Sequence, residues 1–175
     1  MIAGEPYDAY DPHLVAERRR ARDLCRRYNG AGDEDEQRAL LAELLGRYDP
    51  SAEVLPPLRC DYGWNISIGA RCFVNFGCVI LDTCAVTLGE HTLLGPSVHI
   101  YTAAHPLNAV ERRVREYGRP VNIGDDVWIG GGAILCPGVN VGDRAVIGAG
   151  SIVTRDIPPD CVAAGNPCRV LRKLV

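Results

Sequence analysis

Ile123, Ile129, Leu135, Val141, Ile147 and Val153 are six aliphatic residues at intervals of six, and this spacing constrains the fold more than any other feature of the chain. Gly follows at 124, 130, 142 and 148, and four positions after each aliphatic come Val127, Ala133, Val139, Ala145 and Ser151, mostly small. An earlier block keeps the period through Ile68, Val74, Ile80 and Val86; after a two-residue slip it continues as Leu88, Leu94 and Ile100. A period of six matches neither a helical repeat of 3.6 nor the two-residue alternation of a hairpin ladder. It fits a parallel β-helix of hexapeptide repeats. Three short strands make one triangular coil, so roughly 18 residues return the chain over itself, about 4.8 Å further on. The aliphatic residue points inward, and the small residue leaves room at the turn.

Ahead of the repeats the pattern is helical. Asp11 is a cap with Pro12 at the first helical position, followed by Leu14, Arg18, Ala21, Cys25 and Tyr28 at three- and four-residue steps. Gly30-Ala31-Gly32 breaks this helix, Asp33-x-x-Glu36 resembles a capping box, and Leu40, Leu41, Leu44, Leu45 and Tyr48 form a second stripe. The division expected is a helical segment over 1–57, a β-helix over 58–168 interrupted by a loop at 101–122, and a tail at 169–175.

Bulk properties exclude several classes. A formal net charge of −3 gives no global attraction to nucleic acid or anionic lipid. No apolar run approaches the ~20 residues that span a bilayer, and Glu5, Asp8 and Asp11 stand where a signal peptide would be basic and then apolar. A cytoplasmic protein is expected. The eight cysteines contain no C-x-x-C pair, so they read as small core residues. Cys60 and Cys78, eighteen apart, are the pair expected to approach on adjacent coils, as thiols in a reducing compartment.

Between Ile100 and Ile123 the hexad rhythm stops. A long loop interrupting a regular solenoid is more often functional than not, and His105 lies inside it, held before Pro106. Cys60-Asp61-Tyr62-Gly63, Asn75-Phe76, the stretch from His99 to Pro106, Val127-Trp128-Ile129-Gly130, the stretch from Ile147 to Thr154 and the stretch from Ala163 to Arg169 together resemble the hexapeptide-repeat acyltransferases. Within them the chain is similar to the sugar O-acetyltransferases of maltose, galactoside and nodulation type, with the maltose form nearest; the helical segment resembles the small domain that precedes their repeats.

The resemblance implies a left-handed β-helix, a homotrimer with sites between neighbouring subunits, and acetyl-CoA as co-substrate with no metal required. His105 matches the family's catalytic His, a base whose ordinary pKa suits neutral pH. Glu116 falls near the acidic loop residue that orients that His. Asp61 and Asn75 match positions that hydrogen-bond sugar hydroxyls, and Asp8 is a further acceptor candidate. Thr83 stands where the galactoside enzyme has a second acidic residue, which speaks against β-galactosides. Gly131 and Ala149 match the pantetheine channel, Thr154 and Arg155 are expected to continue that edge, and Arg169 and Arg172 match residues that meet the CoA phosphates. Trp128 is expected to pack on the outer face near the loop.

Three other readings compete. The same fold carries zinc carbonic anhydrases, which need three converging imidazoles; the chain has His13, His91, His99 and His105, poorly placed for that. A non-catalytic scaffold leaves the loop and basic tail unexplained. An amine or antibiotic acceptor remains possible within the acetyltransferases.

Overall fold

The computed structural model describes residues 1–174, so Val175 at the end of the expected tail lies outside the described residues. Helix α1 spans Pro12–Gly30; the Asp11 carboxylate accepts from the His13 N–H at 2.9 Å and caps it. Its buried face is Ala21, Leu24, Cys25 and Tyr28, while Leu14 and Arg18 are half-buried. Helix α2, Glu34–Leu44, starts where Asp33 accepts from the Glu36 N–H at 3.0 Å, and Glu34, Asp35 and Glu36 sit against its positive dipole end. The two helices pack as a hairpin over the start of the solenoid. Tyr28 donates its hydroxyl to the Val54 carbonyl, and the Asn29 amide both donates to the Leu58 carbonyl and accepts from the Leu58 N–H.

The rest is a parallel β-helix with three faces. Strands Arg47–Tyr48, Ile66–Ile68, Val86–Leu88, Val121–Ile123 and Asn140–Val141 form the first face. Glu53–Val54, Phe73–Val74, Leu93–Leu94, Trp128–Ile129, Val146–Ile147 and Cys161–Ala164 form the second, and Arg59–Cys60, Val79–Leu81, His99–Tyr101, Ile134–Leu135 and Ile152–Val153 the third. The predicted period is the actual stacking register. Ile123 lies opposite Val141, Ile129 opposite Ile147 and Leu135 opposite Val153, and all six are buried. Burial of such a side chain is worth about 1.5–3 kcal/mol, so these interior ladders carry the solenoid's stability.

The small positions also point inward. Their hydroxyl and thiol groups donate to the glycine carbonyl at the next coil's turn: Cys72 to Gly89 at 2.8 Å, Cys78 to Gly95 at 3.5 Å, Thr92 to Gly124 at 2.8 Å. At the turns, coils approach too closely for a side chain. A Cβ on Gly95 would stand 2.5 Å from the Gly131 nitrogen, and one on Gly130 2.5 Å from the Ala149 nitrogen.

Three expectations need correction. The solenoid begins at Arg47, well ahead of residue 58, because Arg47–Tyr48 and Glu53–Val54 already pair with the second coil. The C-terminal segment Arg169–Lys173 is a strand, added antiparallel to Cys161–Ala164. Cys60 does not face Cys78; it lies opposite Ile80, since the first coils are two residues longer than the later ones. The thiol that approaches Cys60 is that of Cys25 on α1, at 3.6 Å.

Candidate active site

The extra residues of the early coils all fall at one corner, where the third face turns into the first. Asp61 to Asn65 occupy it in the first coil, Asp82 to Ala85 in the second, and the extruded loop in the third. Asp82 is fully buried beneath the upper turn. Its carboxylate accepts from the backbone N–H of Asp61 at 3.0 Å, Tyr62 at 2.9 Å and Asn65 at 3.3 Å, and so fixes the loop that carries Asp61. Burial pushes the Asp82 carboxyl up to about 7, against the pull of the Tyr62 N–H. Below it, Thr102 is buried too: its hydroxyl lies 3.1 Å from that of Thr83, accepts from the Cys84 N–H and donates to the Leu81 carbonyl.

A polar cleft of about 240 Å³ opens on this corner, lined by Tyr7, Ala9, Tyr10, Arg18, Arg22, Asp61, Tyr62, Thr83 and Glu116. Arg18 reaches from α1 to donate to the Tyr62 hydroxyl at 2.6 Å, and its other arm binds the Ala9 carbonyl. Burial raises the Asp61 pKa above the usual carboxylate range, while Arg18 and Arg22 pull it back. The Tyr7 hydroxyl donates to Glu116 Oε2 at 2.8 Å; burial and the carboxylate both push its phenol up, so it stays a donor.

The loop leaves and rejoins the solenoid through a short antiparallel ribbon, Ala103–Ala104 against Tyr117–Gly118. Ala103 faces Gly118 and Ala104 faces Tyr117. The pairing ends there; His105 directly follows Ala104 and Glu116 directly precedes Tyr117, both at the loop end of the ribbon. Glu116 exchanges both backbone hydrogen bonds with Tyr7, at 2.9 and 3.1 Å, so the N-terminal segment joins this ribbon by one antiparallel bridge. His105 is exposed and Glu116 half-buried.

The residues expected to meet CoA form a second locus, at the corner between the second and third faces. A groove of about 460 Å³ there is lined by Asn75, Gly95, Pro96, Trp128, Gly131 and Ala149, among others. Trp128 is 55% exposed on the second face, away from the loop. Arg169 and Arg172 are exposed on the added edge strand of this same sheet; each spends a donor on a neighbouring backbone carbonyl, and neither joins an ion pair among the described residues.

Within one chain, then, Asp61 and Glu116 share a cleft with His105 at its ribbon, but Asn75 does not join them; it lies with Gly131 and Ala149 a corner away. Thr154 and Arg155 do not continue the Gly131–Ala149 edge. They follow Val153 on the third face, since six residues move the chain one face onward. Asp8 is exposed beside the cleft, and its side chain accepts from the Tyr10 N–H. Tyr7, Arg18 and Tyr62 were not anticipated. Arg18 carried a signal, a charged residue within the buried stripe of α1, whereas Tyr7 carried none. The histidines do not converge: His13 is on α1, His91 accepts from Arg71 Nε at a turn, and His99 contacts the Tyr101 hydroxyl.

Residues 1–49 match the maltose acetyltransferase hexapeptide capping motif, and residues 120–155 match the hexapeptide repeat of succinyl-transferase. The chain is 55% identical to Nodulation protein L of Rhizobium meliloti, over 97% of this chain and 94% of that protein. It is similar to a crystal structure of a maltose O-acetyltransferase from Clostridium difficile 630, with TM-score 0.98, 46% identity, and coverage of 99% of this chain and 95% of that one. A hexapeptide-repeat acetyltransferase from Vibrio cholerae, complexed with acetyl coenzyme A, superposes with TM-score 0.95 at 40% identity, covering 100% of this chain and 96% of the other.

Proposed function

The chain belongs to the hexapeptide-repeat acetyltransferases of the maltose acetyltransferase type, and from that premise we propose that it transfers acetyl from acetyl-CoA to a hydroxyl of a small, maltose- or glucose-like sugar, with His105 as the base. The observation that supports this reading is the ribbon whose loop end carries His105 after Ala104 and Glu116 before Tyr117, with Glu116 on the cleft that holds Asp61. Neutral imidazole takes the proton of a sugar hydroxyl as that oxygen attacks the thioester carbonyl. The tetrahedral intermediate then collapses, and the imidazolium returns the proton to the departing CoA thiolate. No acyl-enzyme forms and no cysteine is consumed. Glu116, held by Tyr7, orients the imidazole and favours its protonated form as charge develops.

Asp61, with Asp8 at the margin, receives the acceptor's hydroxyls through short carboxylate hydrogen bonds. A sugar fits a cleft lined by a carboxylate, guanidinium groups and phenols better than an apolar acceptor does. Gly131 and Ala149, whose corner leaves backbone open to a thin chain, take the pantetheine; Arg169 and Arg172 take the CoA phosphates. Because these groups lie a corner away from His105, the complete site needs a neighbouring copy. We propose a homotrimer in which one subunit's loop meets the groove of the next, bringing Asn75, Thr154 and Arg155 to the shared interface. The loop's Leu107, Val110 and Val114 are 95%, 65% and 64% exposed in a single chain, which supports a partner surface over them. The reducing cytoplasm suits so many buried thiols.

The test is thiol release from acetyl-CoA by the purified protein with glucose, maltose, galactosides, glucosamine and chloramphenicol. Turnover with a sugar lacking an amine supports O-acetylation; turnover with amines alone overturns it. Sedimentation equilibrium should return the mass of three chains, and an active monomer would contradict the shared site.

A further inference from the structure

We propose that Cys25 and Cys60 form a redox-active dithiol, reached through an arginine-lined cleft by small anionic disulfides of the glutathione type, and that closing their disulfide clamps the two walls of the acceptor cleft. The clamping half rests on the acceptor reading above; the covalent half does not.

The two Sγ atoms are 3.6 Å apart across the seam where α1 packs on the strand Arg59–Cys60. They are held there rather than meeting by chance. Asn29, one turn beyond Cys25, is clamped to Leu58 by two hydrogen bonds of 2.9 and 2.8 Å, so helix and strand are locked in register beside the thiols. The remaining cysteines are dispersed through the solenoid, and Cys72 and Cys78 spend their S–H groups on turn carbonyls. Nothing in the acetyl transfer uses Cys25 or Cys60.

Both thiols form part of the wall of a separate open cleft of about 760 Å³, together with Arg22, Arg26, Asn29 and Arg59. They are nearly buried on that wall, 7% and 8% exposed. Three guanidinium groups around the entrance suit the carboxylates of a small acidic disulfide. The contact with Cys60 lowers the Cys25 pKa, burial opposes this, and Arg59 adds to it; the Cys60 thiol is pushed up. Either sulfur can donate in their contact, and these shifts support Cys25 as the attacking thiol of the proposed step.

The step balances. Cys25 thiolate attacks one sulfur of the incoming disulfide and expels one small thiolate, leaving a mixed disulfide. Cys60 then gives up its proton and attacks the Cys25 sulfur, forming Cys25–Cys60 and expelling the second small thiol. Two electrons and two protons pass from the protein dithiol to the reagent.

The consequence follows from what adjoins each sulfur. Cys60 precedes Asp61 and Tyr62, which form one wall of the acceptor cleft; Arg18, Arg22 and Cys25 follow one another at helical spacing, and Arg18 and Arg22 form the other wall. Arg22 lines both clefts. Shortening the sulfur separation to about 2.05 Å draws these walls together.

The experiment incubates the whole native protein with oxidised glutathione, then alkylates under denaturing conditions and maps peptides. Two of the eight thiols should disappear into one intramolecular Cys25–Cys60 bond, reversed by dithiothreitol. Cys60→Ser should stop at a glutathione adduct on Cys25, and Cys25→Ser should take up none at either position. Retention of all eight thiols, or a bond elsewhere, overturns the dithiol. On the oxidised enzyme, the acceptor KM should rise at least about threefold while the acetyl-CoA KM holds, and reduction should restore it. An unchanged acceptor KM in fully bridged protein overturns the clamp. Absence of turnover in both redox states would count against the acetyl-transfer reading instead, and the peptide map would still decide the dithiol.

Discussion

The fourth and fifth coils and the first three coils are built from the same hexad but do different work. From Val121 to Val153 each face follows the last at six residues and each coil at eighteen, with no side chain spared from packing except those facing solvent. In the first three coils the corner between third and first faces carries surplus chain: a two-residue excess twice, then the long loop. The surplus at that corner is where Asp61, Asp82, Thr83, Thr102, His105 and Glu116 come together. A repeat solves stability by repetition, and repetition leaves no unique place for chemistry. The site arises where the repeat is broken, and the intact coils beneath hold the break in register.

The sharpest way to break this contrast is to exchange the kinds of damage. His105→Ala removes a side chain that packs against nothing in the solenoid, so folding and assembly should be unaffected while kcat falls by about 10²–10⁴ or more. Steady-state kinetics beside a thermal melt would read both. Near-normal turnover would remove His105 from the mechanism without touching the fold.

The converse change belongs to the regular coils. Leu135→Ala empties a fully buried position stacked between Ile100 and Val153. It should cost about 2–5 kcal/mol in urea unfolding, with both KM values preserved in the fraction that stays folded. A specific loss of acceptor affinity at this position would mean that the two regions are not separable.

Asp82 tests the seam between them, because it is both core and site. Its folded pKa of about 7 stands above the unfolded carboxylate value near 4. The sign follows: the protonated acid is favoured by burial, so the stability it contributes is complete below about pH 4 and is lost as pH rises through 7. Asp82→Asn mimics the neutral acid and lacks this loss. Urea unfolding of both proteins at several pH values between 5 and 8 should show their difference moving in favour of the Asn variant by about 2–3 kcal/mol, because about two of the pH units between the unfolded and folded values lie in this window at about 1.4 kcal/mol each. Any fixed offset from the amide meeting the Asn65 N–H is independent of pH. A difference that stays constant would show that the three backbone donors keep Asp82 ionised throughout.

What could be read from sequence divides along the same line. The interior ladder was legible because each coil repeats the demand for an aliphatic residue, and Ile123 to Val153 answer it without exception. His105 was legible as the histidine inside the one long break. The first coil was not: of Tyr48, Val54 and Cys60 only Val54 matches the aliphatic ladder, and two-residue strands leave too little pattern to separate from a helical tail. The slip between Val86 and Leu88 was visible, but not that both residues are buried in one strand and that the surplus lies in the corner before it. The Cys60–Cys78 expectation failed for that reason, since a count of eighteen is wrong in a coil of twenty. Arg18 and Tyr7 come to the cleft through helix packing and a pairing between distant parts of the same chain, and Tyr62 through the corner loop that Asp82 holds; none of these leaves a periodic trace.

Tyr7 gives the smallest and most discriminating effect. It lies more than a hundred residues from its partner, yet its backbone pairs with Glu116 and its hydroxyl donates to the same carboxylate. Tyr7→Phe keeps the backbone pairing and the ring and deletes only the hydroxyl. The carboxylate then loses one charge-assisted bond, worth about 1.5–3 kcal/mol when dry and less here, where Glu116 is half-buried and water replaces part of it. If Tyr7 acts by aiming Glu116 at His105, kcat should fall by about tenfold or less, near 1.4 kcal/mol, with the acetyl-CoA KM unchanged. Because both residues act on one imidazole, the loss in Tyr7→Phe/Glu116→Gln should be no larger than in Glu116→Gln alone. A double mutant showing the full product of the two single effects would mean that Tyr7 and Glu116 contribute separately. The N-terminal segment would then serve only to close the ribbon, and the break in the repeat would hold its carboxylate without help from the chain's other end.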